Sequence, residues 1–255
     1  MGILDSFRLS GRAALVTGAS RGIGLGIASA LAAAGARVAV MARNAADIEA
    51  AAQSIRDAGG EALPITGHVG RAEDVERAVT AVMEQFGRLD VLVNNAATNP
   101  QFGPLLDADL ALIAKIFETN VLAAVRLTKL VCDAWMREHG GSVINMASVA
   151  GIKPDALTGA YNMSKAALIS MTKTLARELG PAGVRVNAIA PGLVETRFAR
   201  VLVETDTIHD HIVGQTALGR HAQPDEIAGA ALYLASDAAS YVTGSVLVVD
   251  AGWTI

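Results

Sequence analysis

The feature that most constrains the fold is an alternation. Short β-branched runs take turns with Ala-rich stretches of helical period along the whole chain. Strands are expected at 13–17 (AALVT), 37–41 (RVAVM), 61–66, 89–93 (LDVLV), 142–146 (SVINM), 184–189 and 245–249 (SVLVV). Helices are expected at 23–34, 45–58, 72–86, 110–138, 159–179 and 224–235, the last opened by Pro224. Strands that are apolar throughout, rather than at every second residue, belong to a parallel sheet covered on both faces. Seven strands and six covering helices in one unbroken run make a single doubly wound α/β domain with strand order 3-2-1-4-5-6-7. Ligands of such sheets bind past the carboxyl ends of the strands. Chemistry is therefore expected after Thr17, Met41, Val93, Met146 and Ile189.

Composition narrows the function classes. Of 255 residues, 52% are hydrophobic and 18% charged, which supplies a large core and excludes disorder. A net charge of -4 argues against a nucleic-acid partner, whose phosphates call for a basic surface. The single cysteine, Cys132, excludes an internal disulfide and a Cys-based zinc cluster, and is expected to pack in the 110–138 helix. Residues 22–36 form an uncharged, Gly- and Ala-rich stretch of 15 residues, against about 20 for a membrane span. Residues 1–10 carry Asp5 and no apolar signal core. A soluble, cytoplasmic chain with no membrane partner is expected. Met1-Gly2 with Ser6 and Asn162-Met163-Ser164 match myristoylation and glycosylation patterns, both short enough to arise by chance.

The first strand runs into Thr17-Gly18-Ala19-Ser20-Arg21-Gly22-Ile23-Gly24. Gly18 permits a tight turn off the strand. Gly22 and Gly24 let a diphosphate approach the backbone at a helix N-terminus, where free N–H groups favour anions. The spacing differs from G-x-G-x-x-G, and no Gly-Lys-Ser/Thr follows as in a P-loop. A tight turn alone would explain the glycines equally. The second strand then ends Met41-Ala42-Arg43-Asn44, with no acid to bind a ribose 2′-hydroxyl. Arg43, with Arg21 in the glycine turn, offers forked donors matched to a 2′-phosphate. NADP(H) is expected in preference to NAD(H).

Tyr161 and Lys165 lie four apart, on one face of the 159–179 helix. A phenol titrates near 10. An ammonium about 4 Å away at an effective dielectric of about 20 contributes roughly 4 kcal/mol, or about three pK units, and would bring the phenol near neutrality. The pair therefore suits acid–base work on an alcohol or ketone. Ser148 follows the SVINM strand, where its hydroxyl can hold a carbonyl oxygen. Asn120 sits mid-helix, where Asn is a mediocre helix former, and could anchor water beside Lys165.

TGASRGIG, NNAA, Asn120, Ser148, YNMSK and APGLVET, in this order and spacing, together with the terminal SYVTGSVLVVDAG, resemble the short-chain dehydrogenase/reductase family over essentially the whole chain. The resemblance implies a one-domain Rossmann fold, a nicotinamide cofactor and an Asn120–Ser148–Tyr161–Lys165 tetrad. Tyr161 would be the acid/base, and Lys165 would bind the nicotinamide ribose and lower the phenol's pKa. Ser148 would polarise the carbonyl, and Asn120 would support a proton-relay water. Gly18, Ser20, Arg21, Ile23, Gly24, Arg43, Asn44, His68, Val69, Asn94, Ala96, Pro191, Gly192, Val194 and Thr196 would contact cofactor, together with Tyr161 and Lys165. Residues 1–145 would form the cofactor half and 146–255 the substrate half, with a lid at about 192–216.

Two departures stand out. Ala97 replaces the Gly of the family's usual NNAG, and His68-Val69-Gly70 stands where an Asp usually meets adenine. The HVG segment, NNAATNPQFG and APGLVETRFAR resemble a branch of NADP-dependent carbonyl and dicarbonyl reductases that includes peroxisomal retinal reductases. The last residues, Gly252-Trp253-Thr254-Ile255, do not resemble a peroxisomal address. Arg126 and Arg177 occupy positions resembling those where 3-oxoacyl-acyl-carrier-protein reductases meet their acidic partner. Acyl carrier protein is thus the alternative partner to a small carbonyl or alcohol substrate, and a non-catalytic NADP sensor is a third reading. By family resemblance the 110–138 and 159–179 helices pair between subunits in a dimer or tetramer. His209, Asp210 and His211 are expected to be solvated rather than metal ligands, and His221 a loop residue; no metal is expected. Phe102, Leu157, Phe198, Val201, Leu202 and Trp253 are candidate substrate-pocket residues, each equally explained by ordinary packing.

Overall fold

The computed structural model describes residues 2–255; of Arg200, Val201 and Ile208 only the backbone is described. Seven parallel strands form one sheet in the order β3-β2-β1-β4-β5-β6-β7, as the alternation predicts. They are β1 (Ala13–Thr17), β2 (Arg37–Ala42), β3 (Glu61–Thr66), β4 (Val91–Asn94), β5 (Gly141–Met146), β6 (Val184–Pro191) and β7 (Val246–Val249). The helices α1 (Gly22–Ala33), α2 (Ala45–Asp57) and α10 (Pro224–Ala235) contribute to one face, and α3 (Ala72–Phe86) and α5 (Ala123–Val131) to the other.

Period-two geometry sorts the strand side chains. Ala14, Val16, Val38 and Val40 join Ile27, Leu31, Ile55 and Ile227 in one buried core. Ala13, Leu15, Ala39 and Met41 join Val75, Val79, Val82 and Leu127 in the second. Because both faces are covered, the strands read as continuous apolar runs.

Three elements differ from expectation. β4 starts two residues late, because Asp90 turns its carboxylate onto the Ala13 amide (2.8 Å) and is gripped by Arg88 at 2.8 and 2.7 Å. β6 runs on to Pro191, where it pairs with Val249; as the last strand residue, a proline without N–H is tolerated. The expected 110–138 helix is interrupted. α4 (Leu110–Phe117), α5 and α6 (Arg137–His139) are joined by π turns at Glu118–Leu122 and Cys132–Met136. Such wide turns insert a residue into the helical repeat without ending it. Cys132 is buried in the second, and burial pushes its thiol up.

α7 (Gly159–Leu179) follows β5. Beyond β6, the expected lid holds two short helices, α8 (Arg200–Glu204) and α9 (Asp206–Val213). No helix among the described residues is long and apolar enough to cross a membrane.

Candidate active site

The carboxyl ends of β1 and β4 are latched to each other. The Thr17 hydroxyl donates to Val93 O (3.2 Å) and accepts from the Asn95 and Ala96 amides, both at 3.0 Å. Asn95 returns its side-chain amide to Thr17 O (2.8 Å) and Gly18 O (3.2 Å). This latch fixes the glycine turn. Gly18 has φ +64°, a left-handed conformation that favours glycine. A Cβ on Gly24 would stand 2.5 Å from both Gly18 O and Asn95 Nδ2, so any side chain there would collapse the turn.

Over the turn lies a groove of about 650 Å³ running from Arg43 and His68 to Tyr161 and Phe198. Of the candidate cofactor residues, Gly18, Ser20, Arg21, Ile23, Gly24, Arg43, Asn44, His68, Val69, Ala96, Tyr161, Lys165, Pro191 and Thr196 line it. Asn94, Gly192 and Val194 do not. Asn94 is buried beneath and donates to Thr128 Oγ1 (3.2 Å) and Asn145 Oδ1 (2.9 Å). Gly192 packs on Asp250, and Val194 is buried, bridged to Ala222. Thr98, Lys115 and Arg197 also line the groove without a signal in the sequence, as does Asn95, which stands in the NNAA motif but not among the candidate cofactor residues. The latch to Thr17 gives Asn95 its structural role.

The groove's charge is one-sided. Arg21, Arg43, Lys115, Lys165 and Arg197 line it, and among the described residues no carboxylate does. Arg21 is paired with Asp47, which does not itself line the groove. Asn44 caps α2 by accepting from the Asp47 amide at 3.0 Å. His68 Nδ1 accepts from the Gly70 amide (2.9 Å), which leaves Nε2 to carry the proton. Burial, then Arg43 and Arg71, hold its pKa below the usual histidine value, so the ring is neutral at pH 7. A glycine cradle at a helix N-terminus, a cationic wall and this volume fit the diphosphate of a nicotinamide dinucleotide.

Tyr161 and Lys165 stand on the first two turns of α7. Both face the groove, with Lys165 Nζ 5.4 Å from the Tyr161 ring centroid. The Ser148 hydroxyl accepts from the Ala150 amide at 3.1 Å and stands near enough to the phenol to favour its anion, though Ser148 is not among the residues lining the groove. The Phe198 ring lies 5.9 Å from that of Tyr161. Asn120 is buried in the first π turn, away from the groove wall. It lines a cavity of about 10 Å³ together with Thr17, Asn94, Thr119 and Lys165. That is room for one water among polar partners.

The expected lowering of the phenol's pKa is absent in the protein alone. Lys165 donates to Met146 O at 2.6 Å instead of facing the phenolic oxygen directly. Burial pushes Tyr161 up to about 12, offset only partly by Ser148, and pushes Lys165 down to about 8. Desolvation outweighs attraction because both charged forms lose water.

Other expectations resolve simply. His209 Nε2 meets His221 Nδ1 at 2.9 Å, while His211 bonds Gln215. Among the described residues, no group of three His, Cys, Asp or Glu could hold a metal. Asn162 is buried and donates to Asp155 O (2.7 Å), so its sequon is unavailable to a glycan. Of the six apolar pocket candidates, Phe198 lines the groove; Phe102, Leu157, Leu202 and Trp253 do not, and the Val201 side chain lies outside the described residues.

The comparisons with known proteins agree with this geometry. A family model described as enoyl-(acyl carrier protein) reductase matches residues 18–254. Dehydrogenase/reductase SDR family member 4 of Oryctolagus cuniculus is 40% identical over 247 residues, covering 96% of this chain and 94% of its own length. The chain belongs to the short-chain dehydrogenase/reductase family. A short-chain type dehydrogenase/reductase from Mycobacterium marinum superimposes with a TM-score of 0.94 at 37% identity, covering 99% of both chains. A gluconate 5-dehydrogenase from Burkholderia cenocepacia, solved with NADP and tartrate, does so with 0.94 at 33%, again over 99% of both. The protein is thus a nicotinamide-type oxidoreductase acting on CH–OH groups.

Proposed function

We propose that the chain is an NADP(H)-dependent carbonyl reductase/alcohol dehydrogenase with Tyr161 as general acid/base. The observation that carries this reading is that Tyr161 and Lys165 line one end of a groove whose other end is the glycine cradle, with Ser148 near the phenol. When bound, the nicotinamide donates or accepts the hydride. The protein's own groups handle the oxygen. Ser148 offers a hydroxyl to the carbonyl, and Tyr161, protonated at neutral pH, delivers the proton as the alkoxide develops. Lys165 and the water-sized cavity beside Asn120 supply the path by which the phenol regains its proton.

Preference for NADP(H) is supported by Arg43, exposed at the end of β2 with no acid beside it in the groove lining. The NADP bound to the Burkholderia cenocepacia relative is in keeping with it. His68 presents a neutral N–H to the adenine end. A panel of ketones and alcohols scored with both cofactors tests the reading: higher kcat/KM with NADPH is expected, and stronger catalysis with NADH would sink the assignment.

A second reading, reduction of 3-oxoacyl groups on acyl carrier protein, draws on the description of the matching family model and on the exposed Arg177. Arg126 contributes less to such a surface, since it is tied to Glu118 at 2.9 Å. Activity on carrier-bound against small ketones separates the two.

A further inference from the structure

We propose that Ser164 is a positioning residue, holding the Asn120 amide in one orientation and so setting the lining of the one-water cavity that Asn120 and Lys165 share. The inference rests on the reading of Tyr161 as proton donor and extends it to a residue outside the tetrad.

Ser164 is fully buried, one residue before Lys165 and three after Tyr161. Its hydroxyl donates to Tyr161 O at 2.7 Å. A hydroxyl has one proton to give, so its oxygen meets Asn120 only as an acceptor. It accepts from Asn120 Nδ2 at 3.0 Å. The other Nδ2 hydrogen goes to Thr98 O at 3.0 Å, and Asn120 Oδ1 accepts from the Thr98 amide at 2.8 Å. Turned over, the amide would set Oδ1 against an oxygen with no free proton and Nδ2 against an N–H. One orientation satisfies every group.

That orientation matters because of where Asn120 stands. It occupies a π turn, a widened turn inserted into the α-helical repeat. It also lines the one-water cavity with Lys165 and Thr119. An apolar residue at 164 would leave an Nδ2 hydrogen unpaired in a dry site, and the amide would turn or withdraw to recover it. A serine that merely satisfied the carbonyl three residues before it would not couple to Asn120 at all.

A double-mutant cycle tests this on the full-length protein with NADPH and a reducible ketone. Ser164→Ala is expected to lower kcat about tenfold, leave the KM for NADPH within about twofold, and shift the pH profile of kcat. In an Asn120→Ala background the same change should cost nothing further. Ser164→Cys, which keeps a weak acceptor of similar size, should fall between parent and Ser164→Ala; it replaces Ser164→Ala in the cycle should that variant not fold. The inference is overturned by a Ser164 variant with parental kcat and a superimposable pH profile, or by losses that multiply in the double variant. Full activity in Tyr161→Phe would instead remove the reading beneath it. An inactive Tyr161→Phe with a flat Ser164 cycle removes this inference alone.

Discussion

Lys165 is a cation with 3% of its surface exposed, held by one carbonyl. Its folded pKa of about 8 lies below the free value of 10.5. Between those values the unfolded chain binds the additional proton, so this group's contribution to stability rises with pH across that window. Below pH 8 the burial of its charge is a full cost. Lys165→Met should therefore be more stable than the parent at pH 7, with the gap shrinking by up to about 3 kcal/mol as pH approaches 10.5. Urea unfolding at pH 7 and pH 10 measures it, and a gap that widens with pH would contradict the account. Arg43 makes the second prediction at this scale. Arg43→Ala should raise the KM for NADPH by about ten- to a hundredfold, the loss of a charge-assisted contact, and leave that for NADH nearly unchanged. Equal loss for both cofactors would move Arg43 from selectivity to general cofactor binding.

The elements around the site are tied by a buried polar chain. Asn94 on β4 donates to Asn145 on β5, which donates to Thr172 on α7 at 2.9 Å, and Thr172 donates to Leu168 O at 2.8 Å. Asn145→Ala strands the amide of Asn94 and a hydroxyl lone pair of Thr172, and should cost about 1–3 kcal/mol in urea unfolding. A change near zero would mean that water replaces the missing amide. Neither this chain nor the Thr17–Asn95 latch is legible in the sequence, because each joins residues far apart along it. The strands are legible for the opposite reason, since burial on both faces writes an unbroken apolar run such as 13–17. The π turn around Asn120 escaped because one inserted residue hardly disturbs the apolar period of a long helix. Thr196 and the lid beyond it carry no period that distinguishes α8 and α9 from a loop. The Tyr161–Lys165 pair is legible because both residue types are scarce in this chain and lie four apart on one helix, whereas Asn120 and Ser148 join it only through the family resemblance. The sign of the Tyr161 shift is not legible, because desolvation depends on packing that spacing does not report.

Across the whole molecule, an all-parallel sheet gathers its strand ends at one edge, and the one-sided cationic groove follows from which residues cap them. Ligand binding then stabilises the fold by mass action. At about a hundred times its dissociation constant, NADPH should add about 2.7 kcal/mol, and NADH at the same concentration distinctly less. Thermal unfolding with each cofactor reads the difference; equal shifts would contradict the cofactor assignment. The central claim is that the phenol of Tyr161 moves the proton of the substrate oxygen. Its most direct test is carbonyl reduction by Tyr161→Phe, with NADPH affinity followed alongside. The account predicts kcat reduced at least about a hundredfold, within the usual contribution of a positioned acid, with cofactor binding retained. Parental kcat in a variant that still binds NADPH would contradict it.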